Sequence, residues 1–161
     1  MVHLWGRIMT KHALLAAVAA LSAAASMTPA GAADPAAIAR GKYLVTIASC
    51  HDCHTPGYFL GKPDMARFLG GSEVGLEMPG LGTWTDAQIV AAIQEGKRPD
   101  GRMLAPIMPW HAFANLTKQD VDAIVAYLRS LPPVANKVPG PFGPTEVPTS
   151  FVMKIVPPGA K

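Results

Sequence analysis

The chain has 161 residues, of which 50% are hydrophobic, and a formal net charge of +3, a size that fits one domain. Arg7 and Lys11 are two of its fourteen basic residues, so residues 33–161 carry a formal charge of only +1. Because no basic stretch is interleaved with aromatic residues, the composition excludes a nucleic-acid-binding protein.

The first 32 residues have the pattern of a secretory signal peptide. Arg7 and Lys11 precede thirteen mostly apolar residues, 13–25, and residues 30–32 form an A-x-A cleavage site. Thirteen residues are too few to cross a bilayer, which takes about 20. We expect residues 1–32 to be cleaved on export, leaving residues 33–161 in the periplasm without a transmembrane span.

The first predicted helix covers residues 35–48. Asp34 suits the N-cap and Pro35 suits the first helical position. Apolar residues then recur at helical spacing, which indicates one buried face. They are Ile38, Tyr43, Leu44 and Ile47.

A C-x-x-C-H run, Cys50-His51-Asp52-Cys53-His54, follows this helix directly. The spacing is typical of covalent c-type haem attachment. On a helical segment the thiols of Cys50 and Cys53 each reach one vinyl group, and His54 lies beneath the iron as an axial ligand. Thioether formation also explains two cysteines in an exported chain, because it consumes both thiols.

A zinc site and a dithiol redox site share part of this spacing but fit the chain less well. A structural zinc ion needs four ligands, yet beyond the motif residues 33–161 offer only His111 and no further cysteine. A thioredoxin-like motif follows a buried strand, whereas residues 40–49 have a helical pattern. The sequence therefore favours one covalent haem c.

Residues 55–82 are rich in glycine and proline and show no sustained period, which suits irregular loops around a flat cofactor. A second helix is predicted next. Thr85 and Gln88 form a capping box before an apolar run, and Gly96 suits the end of that helix.

A sixth iron ligand is expected between the second and third helices. Met108 lies 54 residues beyond His54, enough chain to circle the porphyrin, and Pro109 stiffens the backbone after it. We predict Met108 as the ligand and Met103 as its main alternative. Ligation by His and Met raises the reduction potential and leaves no open iron position. The other methionines after residue 32 are Met65, Met78 and Met153, and Met is more often a flexible core residue than a ligand.

The third predicted helix covers residues 118–130. Thr117 starts it with a capping pattern, and two prolines at 132–133 prevent its continuation. Prolines recur over residues 134–161, so we expect an extended surface tail there and a haem domain over residues 33–133.

Four stretches carry a resemblance to a known family: R-G-K-Y at 40–43, C-H-D-C-H at 50–54, M-P-W at 108–110 and D-A-I-V-A-Y-L-R-S-L-P-P-V at 122–134. They resemble single-haem c-type cytochrome domains with His and Met ligands, similar to the cytochrome c subunits of periplasmic alcohol, aldehyde and sugar dehydrogenases. The resemblance covers about residues 38–158.

The resemblance implies a small all-α cytochrome c fold, with three main helices and irregular loops wrapped round one covalent haem. It implies that Gly41 and Tyr43 pack against Tyr127 and Leu128 where the first and last helices cross. It also implies an electron carrier rather than an enzyme, with a periplasmic dehydrogenase as donor and a membrane oxidase or another cytochrome as acceptor.

Two features depart from the family pattern. The related subunits usually carry three haem motifs, whereas this chain has one. Residues 80–82 also run directly into residues 83–85, where the family pattern has a longer loop, so we expect one side of the haem to be covered differently. Two other functions stay open: an enzyme or gas sensor with an open iron position, if Met108 does not ligate, and a structural subunit with a vestigial haem.

Overall fold

The computed structural model describes residues 33–73, 80–140, 145–152 and 158–159. In these ranges the regular structure is helical, apart from one isolated antiparallel bridge between Lys97 and Met103. The α-helices are α1 (Pro35–Ile47), α2 (Cys50–His54), α3 (Asp86–Glu95), α4 (Trp110–Phe113) and α5 (Lys118–Ser130), and three short 3₁₀ helices lie at Tyr58–Leu60, Met65–Arg67 and Leu81–Thr83. The predicted all-α fold with three main helices is confirmed by α1, α3 and α5.

Local sequence sets the ends of these three long helices. Asp34 accepts a hydrogen bond from the first turn of α1, which ends one residue earlier than predicted. Thr85 and Gln88 form the expected reciprocal capping box, with bonds of 3.2 and 2.8 Å, and Gly96 ends α3 at a φ of 67°. Thr117 caps α5, whose bounds match the prediction. None of the helices in the described ranges has the length and apolar character needed to cross a membrane.

The crossing of α1 and α5 depends on Gly41. A Cβ atom at this position would lie 1.9 Å from the backbone oxygen of Ala123 and 2.8 Å from Cβ of Tyr127. Only glycine allows the two backbones to approach so closely. The pairing of Gly41 with Tyr127 that the resemblance implied is therefore present. A buried cluster surrounds it, formed by Leu44, Val45, Ile124 and Tyr127, with Leu128 packed against it.

Tyr43 does not share in this crossing. Its side chain is 54% exposed and lies beneath the guanidinium of Arg40, 5.5 Å from the ring centroid. The expected packing of Tyr43 against α5 is wrong, because α1 turns Gly41, Leu44 and Val45 towards α5. Residue 43 is rotated about 200° from Gly41 around the helix.

The second buried cluster joins α3 to α5. Trp84 is 7% exposed and enters this cluster just before α3 begins, so its indole packs at the entry of the helix. Arg129 of α5 pairs with Asp86 at 2.9 Å and donates to the backbone oxygens of Leu81, at 3.0 Å, and of Trp84. One arginine therefore holds the short connection that leads into α3. The other members of the cluster are Ile89, Ala92 and Val125.

Candidate haem-binding site

The helix α2 brings three predicted haem-binding residues, Cys50, Cys53 and His54, into one element of five residues. Ser49 precedes it with a φ of 54°, in the left-handed region that non-glycine residues seldom adopt. This backbone conformation turns the chain sharply between α1 and α2. Local sequence alone is enough to assemble this half of the site.

Both thiols of α2 are free, with Cys50 half-buried and Cys53 exposed. Partial burial of the sulfur atoms raises the pKa of Cys50 and of Cys53 above the ordinary thiol value. Dithiol oxidoreductases need the opposite, a lowered thiol pKa, so this alternative is disfavoured. No three His, Cys, Asp or Glu side chains in the described part of the chain are grouped to hold a metal ion.

The imidazole of His54 is in the state that an iron ligand requires. Burial lowers the pKa of His54 below the ordinary histidine value. The ring is therefore neutral at pH 7, with a nitrogen lone pair available for coordination.

The backbone around His54 is anchored by the loop that follows it. The amide of Gly71 donates to the backbone oxygen of His54 at 2.8 Å. The next residue, Thr55, is fully buried, and its hydroxyl accepts a bond from the amide of Leu69 at 3.1 Å. Neither Thr55 nor Gly71 is predicted from the sequence, where the one available signal is a threonine directly after the motif.

The second histidine of the motif, His51, has a packing role. Its ring stacks on Phe68 with centroids 5.9 Å apart and meets the edge of Tyr58 at 6.0 Å. Its Nε2 lies 3.0 Å from a carboxylate oxygen of Asp52.

Met108 lies in the turn that leads into α4. Its amide donates to the backbone oxygen of Ala105 at 2.9 Å, and its own oxygen accepts from the amide of Trp110 at 2.8 Å. The side chain is partly buried, whereas that of Met103 is 58% exposed. Met108 remains the predicted second ligand. Met65 is 59% exposed, and Met78 and Met153 lie outside the described residues.

Trp110 packs against the loop that follows α3. A Cβ atom at Gly96 would lie 2.7 Å from the indole ring. The indole Nε1 is buried and has no hydrogen-bond partner among the described residues. His111 lies beside it, with ring centroids 3.3 Å apart, and is exposed.

The same loop carries a buried arginine. Arg98 is 7% exposed and pairs with Asp100 at 3.1 Å, while Arg102 pairs with the same carboxylate at 2.8 Å. The hydrogen bonds from Arg102, with the nearby charge of Arg98, lower the pKa of Asp100 to about 2. These charge pairs therefore add to the contact between Trp110 and Gly96 in holding this loop.

The helical architecture, with two thiols and an imidazole on α2, matches the small all-α fold of cytochrome c domains. A model of the cytochrome c family matches residues 38–132. The chain belongs to the cytochrome c family. Members of this family carry covalently bound haem c with iron, and the domain is an electron-transfer module rather than a catalytic one.

Several relatives belong to dehydrogenases. The fructose dehydrogenase cytochrome subunit of Gluconobacter japonicus is 34% identical over 109 residues, covering 60% of this chain and 22% of that protein. The cytochrome c subunit of the quinone alcohol dehydrogenase of Gluconobacter oxydans is 32% identical over 123 residues, covering 66% of this chain and 24% of that protein. A diheme cytochrome c-type protein of Cereibacter sphaeroides is 32% identical over 110 residues, covering 59% and 36%. The chain spans about a quarter or less of the two dehydrogenase subunits.

Proposed function

We propose that this chain is an exported one-electron carrier with a single haem c. Cys50 and Cys53 form the two thioether bonds, and His54 and Met108 are the axial ligands. The observation that supports this best is the placement of two free thiols and a neutral imidazole on α2, inside the region that matches the cytochrome c family.

The residues present fit this cofactor. Thioether formation needs two accessible thiols, and both thiols of α2 are free of disulfide bonds. The buried indole N–H of Trp110 has no acceptor in the described part of the chain, and a buried donor without an acceptor is costly. A haem propionate is the kind of acceptor that would satisfy it.

When bound, the haem iron supplies a one-electron couple between its ferrous and ferric states. The chain fixes the backbone at His54 and at the residue that follows it. Gly71 fixes the backbone of His54, and the buried hydroxyl of Thr55 fixes the residue after it. A ligand set of His and Met leaves no site for a substrate, so the role is electron transfer rather than catalysis.

We infer that the donor is a periplasmic dehydrogenase and that the acceptor is a membrane oxidase or another cytochrome. Relatives named as cytochrome subunits of fructose and alcohol dehydrogenases support the donor. The pattern of residues 1–32 supports export to the periplasm. One C-x-x-C-H motif supports one haem, so electrons cross this chain in a single step.

The test begins with the mature protein, produced in a bacterium that attaches haem c. Intact-mass analysis should show residues 33–161 plus the mass of one haem, and a bare polypeptide would refute the proposal. The oxidised protein should also show the weak near-infrared absorption of a bond between Met sulfur and ferric iron.

The ligand assignment is tested by Met108→Ala, with Met103→Ala as the matched control. Met108→Ala should abolish the near-infrared absorption and lower the reduction potential, because a thioether ligand favours ferrous iron. Met103→Ala should leave both unchanged. The reverse result would assign Met103, and an absent band in the unchanged protein would favour the open iron position of a sensor or enzyme.

A further inference from the structure

The segment after α5 is bonded to the loop that follows the haem motif. We call residues 134–138 the tail strap and residues 67–71 the His-side loop. Asn136 of the tail strap donates through Nδ2 to the backbone oxygens of Gly70 and Gly71, both at 3.0 Å. Its Oδ1 accepts a bond from Nη1 of Arg67 at 3.1 Å. The single amide of Asn136 thus joins both ends of the His-side loop.

Two valines on either side of Asn136 complete the contact. A Cβ atom at Gly70 would lie 2.7 Å from Val134, and one at Gly71 would lie 2.4 Å from Val138. The φ of Gly71 is 89°, and Val138 is 8% exposed. The first residues of the predicted surface tail therefore pack closely against the body of the domain.

The His-side loop in turn holds the haem motif at three points. The amide of Gly71 bonds the backbone oxygen of His54, and the amide of Leu69 bonds the buried hydroxyl of Thr55. The ring of Phe68 stacks on His51. Each loop residue that bonds Asn136 therefore either contacts α2 or Thr55 itself or is the direct sequence neighbour of a residue that does.

We propose that Asn136 is a positioning residue for His54 and that the tail strap is part of the haem-binding structure. The proposal rests on His54 being the axial ligand, as argued under the proposed function. Groups that orient an axial histidine and exclude water tune the reduction potential. Loss of the Asn136 contacts would loosen the loop and admit water, which stabilises the more highly charged ferric state.

The experiment uses the haem-loaded full chain and the variant Asn136→Ala. Amide hydrogen exchange at Gly71 should become about tenfold faster, because the backbone oxygens of Gly70 and Gly71 lose the hydrogen bonds that Asn136 donates to them. Exchange in the centre of α5 should stay unchanged. The reduction potential should fall, and the near-infrared band of the Met ligand should remain.

Two further variants make the result specific. Asn136→Asp keeps the size of the side chain and the acceptor for Arg67 but removes the donor to Gly70 and Gly71. It should therefore also speed amide exchange at Gly71. This variant replaces the alanine variant if the latter does not fold. Lys137→Gln changes an exposed neighbour in the tail strap and should leave Gly71 exchange unchanged.

Either of two results would overturn the positioning role. One is an unchanged rate of amide exchange at Gly71. The other is equally faster amide exchange throughout α5 together with an unchanged reduction potential. Such a result in a protein that carries haem with its His and Met spectrum would refute this inference alone. If the chain without any substitution carries no haem, the proposed function itself would be refuted.

Discussion

Gly96 and Trp110 form one contact that ties the loop after α3 to the segment carrying Met108. Gly96 has a φ of 67°, and its missing side chain leaves the space that the indole ring fills. A side chain at Gly96 would destabilise the fold in two ways, through backbone strain in the left-handed region and through overlap with the indole ring of Trp110. A second glycine with a positive φ but open space around it, Gly101, allows the two contributions to be measured separately.

We expect Gly96→Ala to lower the free energy of unfolding by about 2–4 kcal/mol, as the sum of both costs. It should also weaken the near-infrared band, because Trp110 is displaced close to Met108. Gly101→Ala is the matched control, since Gly101 has a φ of 83° but nothing within 4 Å of an added Cβ. Urea titration of both holoproteins checks this, and equal losses would show that the ring contact carries no weight.

The Asp100 carboxylate makes stability depend on pH. Because the pKa of Asp100 is lowered to about 2, its ion pairs stabilise the folded state above the ordinary carboxyl pKa of about 4. That contribution is lost as the pH falls from about 4 through about 2. We expect the difference in unfolding free energy between the protein and Asp100→Asn to narrow across this window. A difference that stays constant with pH would show that the pairs do not stabilise the fold.

At the scale of elements, the fold depends on how α1 crosses α5. The backbone oxygen of Ala123 lies where a side chain at Gly41 would begin. A carbonyl inside a helix cannot rotate away without breaking its own hydrogen bond. Any larger residue must therefore push the two helices apart and open the cluster around Leu44 and Ile124.

Gly41→Ala should lower the free energy of unfolding by about 3 kcal/mol or more, at the upper end of overpacking costs. Gly82→Ala is a suitable control, because nothing lies within 4 Å of an added Cβ there and its φ is not in the left-handed region. Its effect should stay within about 0.5 kcal/mol. Thermal unfolding followed by circular dichroism compares them, and similar midpoints would mean that the helices can separate at little cost.

At the scale of the whole molecule, eleven hydrophobic residues in the described ranges are buried. Two small clusters form the core, and several large apolar side chains are exposed. The exposed ones with at least half of their surface in solvent include Leu60, Met65, Met103 and Ile107. A covalent haem would add a large apolar group to this core.

Removal of the haem should therefore cost much of the stability. Roughly 200 Å² of apolar surface returned to water corresponds to about 5 kcal/mol, a large part of the stability of a small domain. We expect the double variant Cys50→Ser with Cys53→Ser, produced without haem, to melt at a much lower temperature than the holoprotein. Equal melting temperatures would show that the polypeptide core is sufficient by itself.

The sequence by itself determined the helices and half of the site, because those signals are local. Caps at Asp34, Thr85 and Thr117 define where helices begin, and C-x-x-C-H places three groups within five residues. The family follows from the same local motifs and is confirmed. The assignment of Met108 stays a prediction, since it depends on how a loop folds around the cofactor.

Only the tertiary structure decided which side chains meet across long stretches of chain. Periodicity places Tyr43 and Leu44 on α1, but the close approach at Gly41 decides that Leu44 is buried and Tyr43 is exposed. Likewise, nothing near Asn136 indicates that it bonds Gly70, which lies 66 residues earlier. Such contacts arise because each polar group that folding buries must find a partner wherever the chain brings one.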